Sequence, residues 1–314
     1  MSVLLTGASG FVGAGVLGTL RERGVAVRPV VRAASSTAHM EDAVVVSDLD
    51  AAADWTAALH GVTAVIHCAA RAHIMRDEAL DPLAEYRRVN VAGTLRLAQQ
   101  AAAAGVRRFV FISSIKVNGE STPLNKPFTA DDAPAPEDAY GLSKAEAEAG
   151  LRQLAQETGM EVVIIRPVLV YGPGVKGNFK SLLHVVARGI PLPLGCARHN
   201  CRSLVALENL VDLIVLCTTH PKAANQAFLV SDGEDLSTAE LLQRVAQAQG
   251  VNARLWPVPV MLLRLAAATL GKGAPAQRLL GSLQVDIGKT RELLGWNPPL
   301  TVAQGLQKAV EGNR

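Results

Sequence analysis

Short β-rich apolar runs alternate with alanine-rich helical runs through the first half of the chain. Val3–Leu5, Ala26–Val31, Ala43–Val46, Ala64–Cys68, Arg108–Ile112 and Val162–Ile165 read as buried strands. Gly13–Arg23, Trp55–Leu59, Leu80–Ala104 and Leu142–Gly159 read as the helices between them. Alternation of this kind predicts βαβ units with right-handed crossovers. The expected class is therefore α/β, a doubly wound parallel sheet with helices on both faces.

After Arg166-Pro167 the texture changes. "YGPGVKGNF", "GIPLPLG" and "WPVPV" are rich in glycine and proline and predict irregular backbone. Asn209–Thr219 still reads as helix and Gln226–Val230 as strand, so the chain is expected to rejoin the sheet once. This divides it into a dinucleotide-type domain over residues 1–172, with a return at 203–232. A smaller, irregular substrate domain takes 173–202 and 233–314. The greasiest late segment, "VPVMLLRLAAATLG", is too short to span a bilayer and carries Arg264. A buried or interface helix is expected there.

Composition narrows the function classes. The 314 residues are 49% hydrophobic and carry a net charge of only +3, with charges interleaved. That excludes a basic nucleic-acid stripe and allows a large core. Cys68, Cys196, Cys201 and Cys217 make no disulfide framework, as expected of a cytoplasmic protein. Cys196, His199 and Cys201 lack a second ligand pair at zinc spacing, so "CARHNC" reads as loop and no metal site is expected. Glycines break the first apolar run too early for a secretory signal.

The candidate chemistry begins at the N-terminus. "VLLTGASGFVGAGVLGTLRERG" is strand, glycine loop and helix, with Gly7, Gly10 and Gly13 spaced G-x-x-G-x-x-G. Side-chain-free positions there let a pyrophosphate approach the amides of a helix N-terminus. The second strand ends without the usual acid. Arg32, with Ser35 and Ser36, stands where a ribose 2′-phosphate would lie, which favours NADP(H). NAD(H) stays open, with Arg32 as a solvated loop residue. Asp48 and Leu49 follow a strand and are placed to flank adenine, and the small residues Ala69 and Ala70 end another.

Tyr140 and Lys144 are four apart and share one helical face. A neighbouring ammonium lowers a phenol's pKa, which suits proton exchange with a carbinol or carbonyl. Two hydroxyls, Ser113 and Ser114, close the run "VRRFVFI".

"TGASGFVG", "VIHCAA", "VNVAGT", "FVFISS", "YGLSK" and "IRPVLVYGPG" occur in this order. The set resembles the extended short-chain dehydrogenase/reductases, in their nucleotide-sugar epimerase/dehydratase branch. The resemblance implies a Rossmann-type fold and runs almost to "LLGWNPPLTVAQGL". It implies Ser114 as the catalytic hydroxyl, Tyr140 as acid/base and Lys144 on the nicotinamide ribose. It also leaves Ser113 as a strand-end residue bonded to backbone. Asn90 matches a position that supports the site, and Phe11, Val12 and Pro167 complete the candidate cofactor set. Asn178, Arg202 and Arg278 are the implied contacts to the sugar diphosphate. Dehydratases of the branch carry an acidic pair after the serine; here stand Ile115 and Lys116, which excludes that elimination. Asn118 replaces the tyrosine of the family's V-Y-G.

Reductase and epimerase remain. The missing acid after the second strand favours exchangeable NADPH. The chain further resembles bacterial enzymes of O-antigen and surface-polysaccharide assembly that reduce the C4 ketone of a UDP-4-keto-6-deoxy-N-acetylhexosamine. That reduction is the leading expectation, with an NAD-dependent UDP-hexose 4-epimerase and a non-enzymatic dinucleotide sensor as alternatives. A homodimer through the helices around Val91–Ala104 and Leu142–Gln156 is implied as well.

Overall fold

The computed structural model describes residues 1–32, 43–46, 48–72 and 81–313. A seven-stranded parallel sheet is its centre. Its strands are β1 (Ser2–Thr6), β2 (Ala26–Val31), β3 (Val44–Val45), β4 (Ala64–His67), β5 (Arg108–Ile112), β6 (Glu161–Pro167) and β9 (Ala227–Val230), in the order β3-β2-β1-β4-β5-β6-β9. The order reverses beside β1, so the loops after β1 and β4 part there and leave a crevice at the strands' carboxyl ends. This is the Rossmann-type sheet that the alternating pattern predicts.

Two apolar layers cover the sheet. Helices α1 (Phe11–Glu22) and α7 (Leu207–Cys217) pack with Val3, Leu5, Ile66, Val110 and Ile165 on one face. Opposite them, α4 (Thr94–Ala103) and α5 (Ala139–Thr158) bury Leu97, Ala101, Ala147 and Leu151 against Leu4, Val65 and Phe109. The long helix expected over Leu80–Ala104 is divided. After α3 (Pro82–Tyr86) comes a π-helical turn, Arg87–Gly93, before α4 begins. A π-turn offsets the register within a helical run, and composition does not signal it.

A second sheet was not expected. Strands β7 (Leu169–Tyr171), β8 (Arg202–Ala206) and β10 (Asp235–Leu236) form it, in the order β10-β8-β7. Helices α6 (Gly177–Ala187), α8 (Thr238–Gln249) and α12 (Val302–Glu311) pack with it around Tyr171, Phe179, Leu242 and Leu306. The strands are too short to show a period in the sequence. The rejoining strand does take its place at the sheet's edge as β9. The greasy late segment forms α9 (Val260–Thr269), and none of its residues is buried. Of the expected buried or interface helix, the buried form fails, because α9 meets little beyond its neighbour α10 (Gly273–Leu280).

Candidate active site

The loop after β1 is tight for a steric reason. Gly7 adopts φ +69, and a Cβ there would lie 2.7 Å from the amide nitrogen of Ala69. A Cβ on Gly13 would lie 2.0 Å from the carbonyl oxygen of Gly7. The Gly10 amide donates to that same oxygen at 2.8 Å. Gly10 is also the N-cap of α1 and offers no capping side chain, which leaves the first-turn amides for an external acceptor. Phe11 and Val12 form that first turn and are partly buried. This cradle fits a pyrophosphate.

Other parts of the candidate cofactor set lie along the same edge of the sheet. Ala69 and Ala70 follow β4 and are partly exposed. Pro167 closes β6. Leu49 is buried, and Gly93 approaches it so closely that a Cβ would stand 2.5 Å from its carbonyl oxygen. Asp48 is ion-paired with Arg88 at 2.7 Å. That bond, with the Leu49 amide and the charges of Arg88 and Arg32, holds its carboxyl below the usual range. Arg32 is exposed at the end of β2, while Ser35 and Ser36 fall outside the described residues.

Ser114, Tyr140 and Lys144 come together across two elements. Ser114 is the N-cap of the 3-10 turn Ile115–Val117 and accepts from the Lys116 amide at 3.3 Å. Tyr140 opens α5, and its phenol is hydrogen-bonded by Ser114. Gly141 lets α5 approach this turn; a Cβ there would lie 2.7 Å from the Lys116 carbonyl oxygen. One turn on, Lys144 is buried. Its ammonium donates to the Ile112 carbonyl at 2.8 Å and stands 4.3 Å from the centre of the Phe111 ring.

The electrostatics differ between the two groups. Loss of water pushes the Tyr140 phenol up, and the negative charge of Asp138 adds to this, while the hydrogen bond from Ser114 opposes it. Burial lowers Lys144 to about 8, against smaller opposing effects of Cys68 and Glu148. In the ligand-free protein the phenol therefore keeps its proton at neutral pH, and the lysine titrates nearby.

Ser113 points elsewhere. Its amide bonds to the Ile165 carbonyl at 2.7 Å, as a strand-end residue does. Its hydroxyl, however, donates to the Glu148 carboxylate at 2.6 Å rather than to backbone. Glu148 also takes a two-pronged bond from the buried Arg166, at 2.9 and 2.6 Å. Arg166 in turn donates to Asn118 at 2.9 Å. Asn118 thus belongs to a buried brace.

Asn90 sits in the π-helical turn. It accepts from the Arg71 amide at 2.8 Å, and donates to the Arg71 carbonyl at 3.1 Å and to Ser143 at 3.0 Å. It ties the loop after β4 to α5 one residue before Lys144. On the second sheet's side, Arg202 opens β8 and donates to the Gly281 carbonyl at 3.2 Å. Burial, with the adjacent charge of Arg278, lowers its pKa. Two neighbouring guanidiniums whose charges act on each other suit an oxyanion pair. Arg278 also reaches Glu120 at 3.8 Å. Asn178 is exposed on the first turn of α6, away from these bonds.

Several contacts at the site carried no sequence signal. Tyr86 packs edge-on to Tyr140, with ring centres 6.0 Å apart. Lys116 pairs with both Glu120 and Asp138. Arg88, as noted, holds Asp48. The charge pairs span up to 40 positions, so only the folded chain shows them.

The family model for the NAD dependent epimerase/dehydratase family matches residues 3–231. The chain belongs to that family. UDP-glucose 4-epimerase of Vibrio cholerae is 51% identical over 99% of this chain and 94% of its own length. The 3-beta-hydroxysteroid dehydrogenase of Mycolicibacterium neoaurum is 30% identical over 98% of this chain and 90% of its own. A short-chain dehydrogenase/reductase superfamily protein from Agrobacterium tumefaciens, solved with bound NAD, is 26% identical. It aligns over 100% of this chain and 97% of its own, with a TM-score of 0.76.

These relatives overturn the leading expectation of an NADPH-dependent 4-ketoreductase. The near full-length relative at 51% identity is a 4-epimerase. The physical reason is that Arg32 and the missing acid bear only on the ribose end of a dinucleotide. Reduction and epimerisation differ at the sugar's C4, where both use one hydroxyl, one phenol and one ammonium.

Proposed function

We propose that this epimerase/dehydratase family member is a nucleotide-sugar 4-epimerase that acts on a UDP-hexose and retains its NAD through the cycle. The observation that carries this reading is the 51% identity to the Vibrio cholerae UDP-glucose 4-epimerase over nearly both whole chains. The Agrobacterium tumefaciens protein with bound NAD supports the choice of dinucleotide. In this reading Arg32 is a solvated residue at the mouth of the adenine end.

Ser114, Tyr140 and Lys144 take the chemical roles. The glycine cradle at Gly7, Gly10 and Gly13 would hold the pyrophosphate, with Ala69, Ala70 and Pro167 beside the rest of the dinucleotide. The dinucleotide, when bound, supplies reversible hydride transfer at C4. Ser114 accepts from the Lys116 amide, and its own proton, directed at the Tyr140 phenol in the ligand-free protein, would turn to the sugar's C4 oxygen beside that phenol. Tyr140 acts as the phenolate, having first given its own proton to solvent: its phenolic oxygen takes the hydroxyl proton as C4 is oxidised and returns it when the other face is reduced. The Lys144 cation lowers the energy of the phenolate. Arg202 and Arg278 bind the diphosphate, and Asn178 reaches the same ligand from α6. This assigns residues 1–172 and 203–232 to the dinucleotide, and 173–202 and 233–314 to the sugar nucleotide. Pairing through α4 and α5 into a homodimer belongs to the same reading.

The test uses protein purified without added cofactor. Acid release should yield close to one NAD per chain, and UDP-galactose should convert to UDP-glucose with no dinucleotide supplied. Protein that carries no NAD and leaves UDP-galactose unchanged, with and without added NAD, would sink the reading.

A further inference from the structure

We propose that the surface built on α9 docks on an anionic phospholipid bilayer. The site lies apart from the catalytic cluster and does not depend on which sugar is turned over. Helix α9 is "VMLLRLAAAT", and no residue of it is buried. Met261 is 83% exposed, Leu262 56% and Leu265 63%, and these three share one helical face. Leu270 at the helix end is 70% exposed and Trp256 ahead of it 63%. Five large apolar side chains left exposed in one short segment are of the kind that marks an interaction surface.

Charge decides what covers it. From Val251 to Val285 the chain holds Arg254, Arg264, Lys272 and Arg278, and neither Asp nor Glu. These four cations exceed the whole chain's net charge of +3. The segment bridges at Leu192 and Leu255 to another acid-free stretch, which runs from Val162 to Leu207. A second copy seated symmetrically on α9 would set one acid-free cationic segment against another. An anionic bilayer takes the apolar face and the cations together. The helix is too short to cross a membrane, so it lies in the interface plane, where a tryptophan such as Trp256 is favoured. Arg278 lies on α10, which packs against α9, and its charge acts on Arg202. Docking therefore brings the proposed diphosphate site close to the headgroup layer.

The full chain is mixed with vesicles of phosphatidylethanolamine and phosphatidylglycerol, or of phosphatidylcholine alone, and sedimented at low and high salt. We expect selective binding to the anionic vesicles that weakens with salt. It should fall roughly tenfold or more in Leu262→Glu/Leu265→Glu. Arg264→Glu/Lys272→Glu should lose the anionic preference. Should the leucine variant fail to fold, the wild type still reports. Trp55 and Trp296 are buried, so a blue shift of the exposed Trp256 on anionic vesicles reads docking directly. Equal sedimentation with both vesicle types, or binding unchanged in the leucine variant, overturns the proposal. So does a dimer that the leucine variant turns into monomer, because the face then belongs to a second copy.

Discussion

Lys116 forms an ion pair with Asp138, the residue that caps the helix carrying Tyr140 and Lys144. The Asp138 carboxylate accepts the Gly141 amide at 2.7 Å with its other oxygen. One carboxylate thus joins the turn after Ser114 to the first turn of α5, and sets the distance between hydroxyl and phenol. Where a dehydratase would hold an acid, this chain holds the cation of a tether.

Asp138→Ala removes both the cap and the tether. Loss of an N-cap costs about 1–2 kcal/mol of stability. Turnover should fall by about tenfold while KM for the sugar nucleotide changes little, because the variant loosens the Ser114–Tyr140 geometry and leaves the diphosphate arginines in place. Asp138→Asn keeps the cap and should recover most of the stability. A variant with normal kcat and raised KM would place Asp138 in substrate binding instead.

The two serines should separate cleanly. Tyr140→Phe and Ser114→Ala should each lower kcat by about two orders of magnitude or more, with NAD still bound. Ser113→Ala removes a bond to the buried Glu148 carboxylate. It should cost about 1–3 kcal/mol of stability and leave kcat near normal. Steady-state kinetics beside urea unfolding decides; a catalytic defect in Ser113→Ala would exchange the two roles.

How much of this could be read from the residues alone depends on distance along the chain. The central sheet was legible because buried parallel strands are short apolar runs bounded by turns; Ala26–Val31 and Arg108–Ile112 have the predicted bounds. The glycine loop and the Tyr140–Lys144 spacing were legible because each is local. The three-stranded sheet was not, since β10 has two residues and its partner β8 lies over 30 positions away. Nor was the Ser113–Glu148–Arg166–Asn118 brace, whose members meet only when β5, β6 and α5 pack. The reaction escaped for a chemical reason: one hydroxyl, phenol and ammonium serve reduction and epimerisation equally.

That brace should be the most fragile polar feature of the fold. Glu148 and Arg166 have side chains 3% and 2% exposed and meet at 2.6 Å. Removing one partner strands a buried charge, which costs about 3–5 kcal/mol. Arg166→Met should unfold at clearly lower urea, and Glu148→Gln by a similar margin. A midpoint within error of wild type in either variant would mean that water reaches the pair.

The pair Arg202 and Arg278 predicts a KM effect. Arg202→Ala and Arg278→Ala should each weaken kcat/KM for UDP-sugars by about tenfold to a hundredfold, the range for a charged hydrogen bond. UDP itself should lose affinity in proportion, measured by calorimetry, because the lost contact is to the diphosphate. Unchanged UDP affinity in both variants would leave them as surface arginines.

Lys144 gives a prediction in which stability and activity run in opposite directions with pH. Burial holds the folded ammonium near 8, whereas the unfolded side chain titrates near its ordinary value of 10.5. Between those values the unfolded chain binds more protons, so stability rises with pH there. Below 8 the folded protein carries the full cost of a buried charge, about 3 kcal/mol relative to pH 10.5 and above. Lys144→Met has no such group. The difference in unfolding free energy, wild type minus variant, should therefore grow by about 3 kcal/mol from pH 7 to pH 10.5. Its constant part, including the lost bond to the Ile112 carbonyl, cancels. Urea unfolding at several pH values measures it, and a flat difference would mean that Lys144 keeps its water. Under the proposed role of Lys144 beside the phenolate, turnover moves the other way, because that cation is lost as pH rises through the Lys144 value. Lys144 by itself should thus add stability while turnover falls over the same alkaline range; total stability also carries the buried thiols Cys68 and Cys217, pushed up to about 12, which act in the opposite direction.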